Sequence, residues 1–480
     1  MKTPENICRL FYHECQRQYG DRILMTHDYR WFSRALKAVC QKHFFDKDIS
    51  GFDFTQILHP EDSDSDPAID DFPLQNPDSI LFSTLNEEVE GYYMESSQPK
   101  KIIMIIERML DKYNEIPEVK KLNLVLYEDM YRNIFKILRA VNMHQGHLII
   151  VGLRGFATQD LVRLSCFISQ KVYGALDMNP DFNDTDWQQE LRNIILCAGQ
   201  DNKPLLFSLE EYRITEPQWY RDIETIMTDN AHSLIMAGED LPRALTKISK
   251  QMKRRGGEQT ESQGNELNLR SSFDSQQQEQ QEGAPLKKSL TSVVKRNVND
   301  IYTTPKLFNE MYKQMTQRIA KNLRFVIHFT PSGQSLREKM QNHSQLMHNS
   351  QIMWVQHLKE ADLLEVGEKT FVGPMEEEMR AELIRDTTRD PRLDEIKVKK
   401  SRDANMNVLK AFVDTYQLVI KFSRKYEEKN KHILYFTPQF FLRSLQVYRK
   451  LLKVREHNVT ETQNRFEKGL DKLKETLQKV

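Results

Sequence analysis

The spacing of hydrophobic positions changes along the chain and divides it into segments. In residues 1–45 apolar side chains recur at helical spacing, which predicts a helical subdomain whose second helix starts at an N-cap, Asp28. Residues 46–98 are rich in Asp, Ser and Pro and predict an acidic linker. Residues 99–365 are denser in apolar side chains, which predicts a packed domain.

Short apolar runs inside that domain predict buried strands. The runs are Leu148 to Val151, Pro204 to Leu209 and Leu323 to Phe329. The first is followed by a glycine loop and then by a helical pattern. Buried strands alternating with helices are typical of an α/β fold with a parallel sheet, so this fold class is predicted here.

Two further segments have their own patterns. Residues 252–290 are rich in Gln, Ser and Glu, which predicts a disordered insertion. Residues 366–437 are charged and helical in pattern, which predicts a helical lid.

The last segment, residues 438–480, predicts a single long helix that opens with Thr437-Pro438. Apolar residues recur at every seventh position, as in one strand of a coiled coil. They are Leu445, Leu452, Val459, Phe466, Leu473 and Val480. The alternative is a surface helix that packs on its own domain.

Composition excludes several classes of protein. Lys and Arg together number 69, as do Asp and Glu, so overall basicity cannot drive binding to nucleic acid. No apolar run approaches the roughly 20 residues of a membrane-spanning helix. The five cysteines form no C-x-x-C pair, which indicates free thiols in a reducing compartment and predicts no metal site.

The candidate chemistry lies in the glycine loop after the first predicted strand. The phosphate-binding pattern G-x-x-x-x-G-K-[ST] is present in altered form, with Ala157 at the second glycine and Thr158 at the lysine. Asp160 adds a carboxylate near a helix N terminus, where it repels phosphate. The candidate nucleotide-binding residues are Gly152, Gly155, Ala157, Thr158 and Gln159.

Four stretches of the chain, taken in order, resemble part of an axonemal dynein heavy chain. They are residues 11–32, 122–169, 322–340 and 435–473. The resemblance implies the end of the third AAA+ module in residues 1–45, the fourth module in residues 99–365 and the start of the stalk helix after residue 438.

Functional residues follow from the resemblance by position. Glu210 and Glu211 lie near the Walker B acidic position, and Thr330 and Arg337 resemble the sensor residues. The cofactors of the family are ATP and Mg²⁺. Because the loop lysine is replaced, we expect the isolated chain to bind ATP at most weakly and to lack ATPase activity.

The resemblance also implies a function, a cellular location and partners. The function would be that of a degenerate module in an ATP-powered microtubule motor of the cilium axoneme, within the cytoplasmic cytoskeleton. Expected partners are other dynein modules and the dynein intermediate and light chains, with microtubules contacted only indirectly and neither nucleic acid nor membrane bound. Two alternatives are a stand-alone, catalytically inactive AAA+ scaffold that acts by protein–protein contact, and a weak ATPase in its own right.

Overall fold

A computed structural model describes most of the chain outside two long segments. The described residues are 4–44, 82–85, 93–95, 99–143, 146–228, 241–251, 305–331, 334–355, 358–385 and 391–479, apart from the single residues 24, 180 and 433. The predicted insertion, residues 252–290, and most of the acidic linker lie outside this set.

A five-stranded parallel sheet forms the centre of the fold, in the order β4-β5-β6-β3-β7. Its strands are β3 (His147–Val151), β4 (Val172–Ala175), β5 (Leu205–Glu210), β6 (Leu323–Phe329) and β7 (Ser350–Trp354). The α/β prediction and its three strands are confirmed. A separate antiparallel pair joins β1 (Phe82–Ser83) to β2 (Met94–Glu95).

Helices flank the sheet and continue beyond it. Those before the insertion are α1 (Pro4–Gln18), α2 (Thr26–Phe44), α3 (Pro99–Glu115), α4 (Glu128–Asn142), α5 (Thr158–Ile168), α6 (Asp184–Ile195), α7 (Pro217–Thr228) and α8 (residues 241–251). Those after it are α9 (Pro305–Asn322), α10 (Gln334–Asn342), α11 (Ser344–Asn349), α12 (Glu360–Gly367), α13 (Gly373–Arg385), α14 (Pro391–Asn430) and α15 (Pro438–Lys479).

Successive residues of each strand point to opposite faces of the sheet, which places a hydrophobic core on both sides. On β3, Leu148 and Ile150 pack with α3, α4 and α5, whereas Ile149 and Val151 pack with α6, α7 and α9. The near-continuous burial of these strands explains why their sequences read as unbroken apolar runs.

The α1–α2 hairpin is joined to the α/β unit by polar contacts. Glu14 on α1 forms an ion pair with Arg139 on α4 and accepts a hydrogen bond from Tyr93 Oη at 2.7 Å. Lys136 Nζ lies 3.1 Å from an Asp21 carboxylate oxygen. The predicted cap is wrong by three residues: α2 begins at Thr26, so its N-cap position is Met25 and Asp28 lies inside the first helical turn.

A further core is made by α12, the turn Glu368–Val372, α14 and the beginning of α15, a cluster called the lid below. Phe371, Leu409 and Phe441 are buried in it together with Leu445, which is only 2% exposed. The prediction of one coiled-coil strand is therefore wrong at its first heptad position, because Leu445 packs within this chain as the alternative had it. The base of α15 packs on the lid, and the apolar positions become exposed only further along.

The rest of α15 extends away from the body of the molecule. Every described residue from Lys453 to Leu477 is exposed, and Phe466 and Leu473 are 70% and 62% exposed. Val480 lies outside the described residues. Among the helices that the structure describes, none combines the length and apolarity needed to cross a membrane.

Candidate nucleotide-binding site

The glycine loop lies between β3 and α5, at the carboxyl edge of the sheet. Strand order reverses here, because β3 is flanked by β6 and β7, and such switch points form ligand-binding crevices in parallel sheets. The Gly152 amide donates to the carbonyl of Phe329 at 3.0 Å, which ties the loop to the end of β6. The structure thus places the predicted loop where a P-loop is expected.

Two residues of the loop have left-handed backbone conformations. Gly155 has a φ of 98° and Ala157 a φ of 55° with a ψ of 25°. An alanine in this region is strained by roughly 1–2 kcal/mol relative to a right-handed conformation. Ala157 stands at the motif's second glycine, so the backbone conformation that favours glycine is present although the glycine is absent.

The N terminus of α5 faces the end of this loop. Ala157 is its N-cap and supplies no side-chain hydrogen bond, so the cap leaves the first-turn amides of Thr158 and Gln159 unsatisfied by a side chain. Helix N termini of this kind bind phosphate through backbone N–H groups. Asp160 lies in the same turn with an oxygen 3.8 Å from Arg163 Nη1, which partly balances its charge.

The lid touches the loop directly. A Cβ atom built on Gly152 would lie 2.8 Å from Val355 Cβ, just after β7, whereas one on Gly155 would lie 2.5 Å from Thr437 Oγ1 in the lid. Thr437 precedes α15 and is 9% exposed. The start of the longest helix is therefore in van der Waals contact with the phosphate-loop position.

The first candidate acidic residue, Glu210, is held by arginines. Arg154 of the loop donates from Nη2 to Glu210 Oε2 at 2.8 Å, and Arg213 Nε lies 3.8 Å from the same oxygen. The Arg154 guanidinium also stacks over the Tyr212 ring, 3.6 Å from its centroid. The loop and the end of β5 are thus linked by an ion pair.

The second candidate acidic residue, Glu211, is more deeply buried and is held by β6 and α10. Its Oε2 accepts a hydrogen bond from the Thr330 amide at 2.8 Å, and its Oε1 accepts one from Lys339 Nζ at 2.6 Å. Thr330 therefore meets Glu211 through its backbone. Arg337 lies exposed on α10, and it is Lys339, two residues further on, that pairs with the acid.

The two histidines of the central strands are structural. His328 Nε2 lies 3.1 Å from Ser208 Oγ, and burial lowers the pKa of His328 to about 4. His147 Nδ1 accepts from the Phe325 amide at 3.1 Å, and burial together with Arg324 lowers the pKa of His147 to about 3. Both rings are therefore neutral at pH 7 and hold adjacent strands together.

The donor set fits phosphate better than it fits Mg²⁺. In the part of the chain that the structure describes, no three His, Cys, Asp or Glu side chains converge in a way that could hold a metal ion. Glu210 and Glu211 are each paired with a cationic side chain, and Gln159 stands where the motif has the hydroxyl that contacts Mg²⁺. The loop amides depend on no side chain and remain suited to an anion.

A parallel sheet with a glycine loop at its switch point, and a helical cluster whose Thr437 contacts that loop, define a P-loop module of the AAA type. The chain belongs to the dynein motor family: the family described as "P-loop containing dynein motor region D4" matches residues 122–279 and 278–451. Membership in a P-loop family implies a nucleotide-binding site.

Curated relatives agree with this assignment over the whole chain. The ciliary dynein beta chain of Heliocidaris crassispina is 21% identical over 480 residues, which cover 100% of this chain and 9% of the relative. Human dynein axonemal heavy chain 2 is 22% identical over 478 residues, with 100% and 9% covered. Dynein axonemal heavy chain 5 of Rattus norvegicus is 21% identical over 484 residues, with 100% and 12% covered. The chain therefore spans about a tenth of the length of these relatives.

Proposed function

We propose that this chain is a segment of a ciliary dynein heavy chain, and that its AAA module is a degenerate, non-hydrolysing part of the motor. The observation that carries the proposal is Thr158 at the position of the loop lysine. That lysine meets the β- and γ-phosphates in P-loop enzymes, and threonine has neither its charge nor its reach.

The acidic side of the site supports the same conclusion. Hydrolysis needs carboxylates that position Mg²⁺ and water, and an arginine supplied by a neighbouring module. Glu211 is instead bonded through both oxygens to Thr330 and Lys339. The module would then serve the motor as a structural element between its neighbours, with other dynein modules, intermediate chains and light chains as partners in the axoneme.

The proposal about catalysis is tested by measuring phosphate release from Mg·ATP by the intact chain. We expect no release above that of a heat-denatured control. Turnover that is abolished by Glu211→Gln would contradict a non-hydrolysing module and favour a weak ATPase.

The proposal about the segment is tested by the size and location of the native protein. An antibody against residues of the lid should detect, in isolated axonemes, a polypeptide far larger than the 56.8 kDa of this chain. A stable product of about that mass in the soluble fraction would instead favour a separate AAA scaffold. The exposed apolar positions of α15 are the observation that keeps this alternative open, because they offer a surface for protein contact.

A further inference from the structure

The loop contains a cationic side chain that the phosphate-binding pattern does not require. Arg154 occupies a variable position of the motif, three residues before the left-handed Ala157. Its guanidinium lies at the mouth of the loop, bonded to Glu210 and stacked on Tyr212. In a site that has lost its lysine, this arginine is the positive charge that the loop itself still carries.

The contacts of Arg154 are of a kind that an anion can replace. Its side chain is 67% exposed, and an exposed ion pair contributes little to stability because solvent screens it. Guanidinium matches phosphate with two parallel hydrogen bonds, which are stronger than neutral ones. Arg154 can therefore release Glu210 and bind a phosphate group instead at little cost in free energy.

The contacts of Glu211 differ in this respect. Its side chain is 10% exposed, and Lys339 and the Thr330 amide together bond both of its oxygens. Breaking these bonds would leave a buried carboxylate unpaired, which is strongly unfavourable. Lys339 therefore stays on Glu211. When Arg154 turns to a phosphate group, Glu210 keeps Arg213, whose Nε lies 3.8 Å from Glu210 Oε2, so both acidic residues still face a cationic side chain.

We propose that Arg154 replaces the missing loop lysine as the side chain that binds the nucleotide phosphates, and that nucleotide binds to this site without Mg²⁺. The proposal rests on the proposed function, a non-hydrolysing AAA module. It adds the residue that supplies the charge and the form of the ligand, which is the metal-free nucleoside di- or triphosphate.

The test is calorimetric titration of the intact chain with ATP and with ADP, each in buffer containing Mg²⁺ or EDTA. We expect weak binding of the same strength in both buffers. Arg154→Ala should weaken binding by about tenfold or more, since it removes a charge-assisted hydrogen bond. Glu210→Gln should tighten binding, because it removes the carboxylate that competes for Arg154 and repels phosphate.

A matched control is Arg402→Ala on α14. It removes a half-exposed arginine that also forms an ion pair, with Glu368, and that is distant in sequence from the loop. This variant should bind nucleotide as the wild type does. Arg154→Lys, which keeps the charge but not the two-pronged geometry, should fall between the wild type and Arg154→Ala.

Three results would overturn the proposal. They are a clear gain of affinity from Mg²⁺, an Arg154→Ala variant that binds as tightly as the wild type or more tightly, and the absence of any nucleotide binding. None of the three contradicts a non-hydrolysing module. Conversely, phosphate release from ATP would refute that function whatever the affinities are, so the two ideas fail separately.

Discussion

Thr437, the residue before the last helix, packs against Gly155 of the phosphate loop. The contact leaves no room for a side chain, because a Cβ on Gly155 would lie 2.5 Å from Thr437 Oγ1 and 2.9 Å from Thr437 Cβ. The loop and the base of α15 are therefore in direct contact, so a larger side chain in the loop must displace the start of that helix.

Gly155→Ala should destabilise the chain by about 1–3 kcal/mol, because the new methyl group must displace Thr437 and because alanine is strained at positive φ. The measurement is denaturant unfolding followed by circular dichroism. Thr437→Ala should recover part of the loss in the double variant, since it removes the nearest atom.

The control for this substitution is Gly469→Ala on α15, where the structure records nothing within 4 Å of the new Cβ. There alanine should raise helix stability by about 0.5–1 kcal/mol. If Gly155→Ala proves as harmless as Gly469→Ala, the contact between the loop and Thr437 does not exist in solution.

Repair of the loop should restore affinity for nucleotide. Ala157→Gly removes the strain at the left-handed position, and Thr158→Lys supplies the charge that the motif places there. The double variant should bind ATP about ten- to a hundredfold more tightly than the wild type, the contribution expected of one hydrogen bond to a charged group. Calorimetric titration gives the affinity.

The matched control for repair is Ala157→Gly with Thr158→Met, which has a similar side-chain length without the charge. It should bind no better than the wild type. Equal gains from lysine and methionine would mean that loop conformation, rather than charge, limits binding, and no gain from either would argue against a decayed nucleotide site.

The central strands were predictable from sequence because they are buried on both faces. Leu323–Phe329 is apolar apart from Arg324 and His328 and forms a strand at the predicted residues. The two edge strands were missed for different reasons: Val172–Ala175 has no buried residue and contains a glycine, whereas Ser350–Trp354 is partly buried but mixes polar and apolar side chains. Neither has the composition by which a buried strand is recognised.

The altered loop was also predictable, since it is a local motif, but its ion pairs were not. Arg154 and Glu210 are 56 residues apart in the chain, and Lys339 and Glu211 are 128 apart. Such pairs form only once the fold brings the loop, the end of β5 and α10 to one edge of the sheet. The sequence signal that was available is an arginine inside the loop and a lysine two residues after the sensor-like Arg337.

The far half of α15 should make the chain self-associate. Val459, Phe466 and Leu473 are each more than 60% exposed and recur at every seventh position. Phe466→Glu with Leu473→Glu should raise the monomer fraction in sedimentation velocity without lowering the melting temperature.

Leu445→Ala, at the base of the same helix, should instead destabilise the lid by about 2–5 kcal/mol, because that residue is buried.

The control for the seam places the same two negative charges, seven residues apart, on the opposite side of the same helix, in His457→Glu with Asn464→Glu. This variant should associate as the wild type does. A wild type that is already monomeric at all concentrations would refute the seam, and so would equal effects of the two double variants, which would point to net charge alone.

A buried carboxyl group at the junction of lid and α/β unit should make stability depend on pH. Asp362 on α12 is 6% exposed, and burial together with Asp129 on α4 raises the pKa of Asp362 to about 7. The folded state therefore binds this proton more tightly than the unfolded state, whose carboxyl titrates near 4. The stabilisation is fully present below about pH 4 and is lost as the pH rises through about 7.

Asp362→Asn keeps a neutral side chain of the same shape and should remove this pH dependence. The free energy of unfolding of the variant, relative to that of the wild type, should therefore rise by on the order of 1–3 kcal/mol between about pH 4 and 8. Denaturant unfolding at a series of pH values measures the difference. Asp403→Asn, at an exposed position of α14, should leave the pH dependence unchanged.

His147 and His328 change stability in the opposite direction, because their lowered pKa values reduce the free energy of unfolding as the pH falls below about 6.5. Subtracting the wild-type curve from that of the variant cancels this contribution. Parallel curves for Asp362→Asn and wild type would mean that Asp362 is ionised in the folded protein at neutral pH.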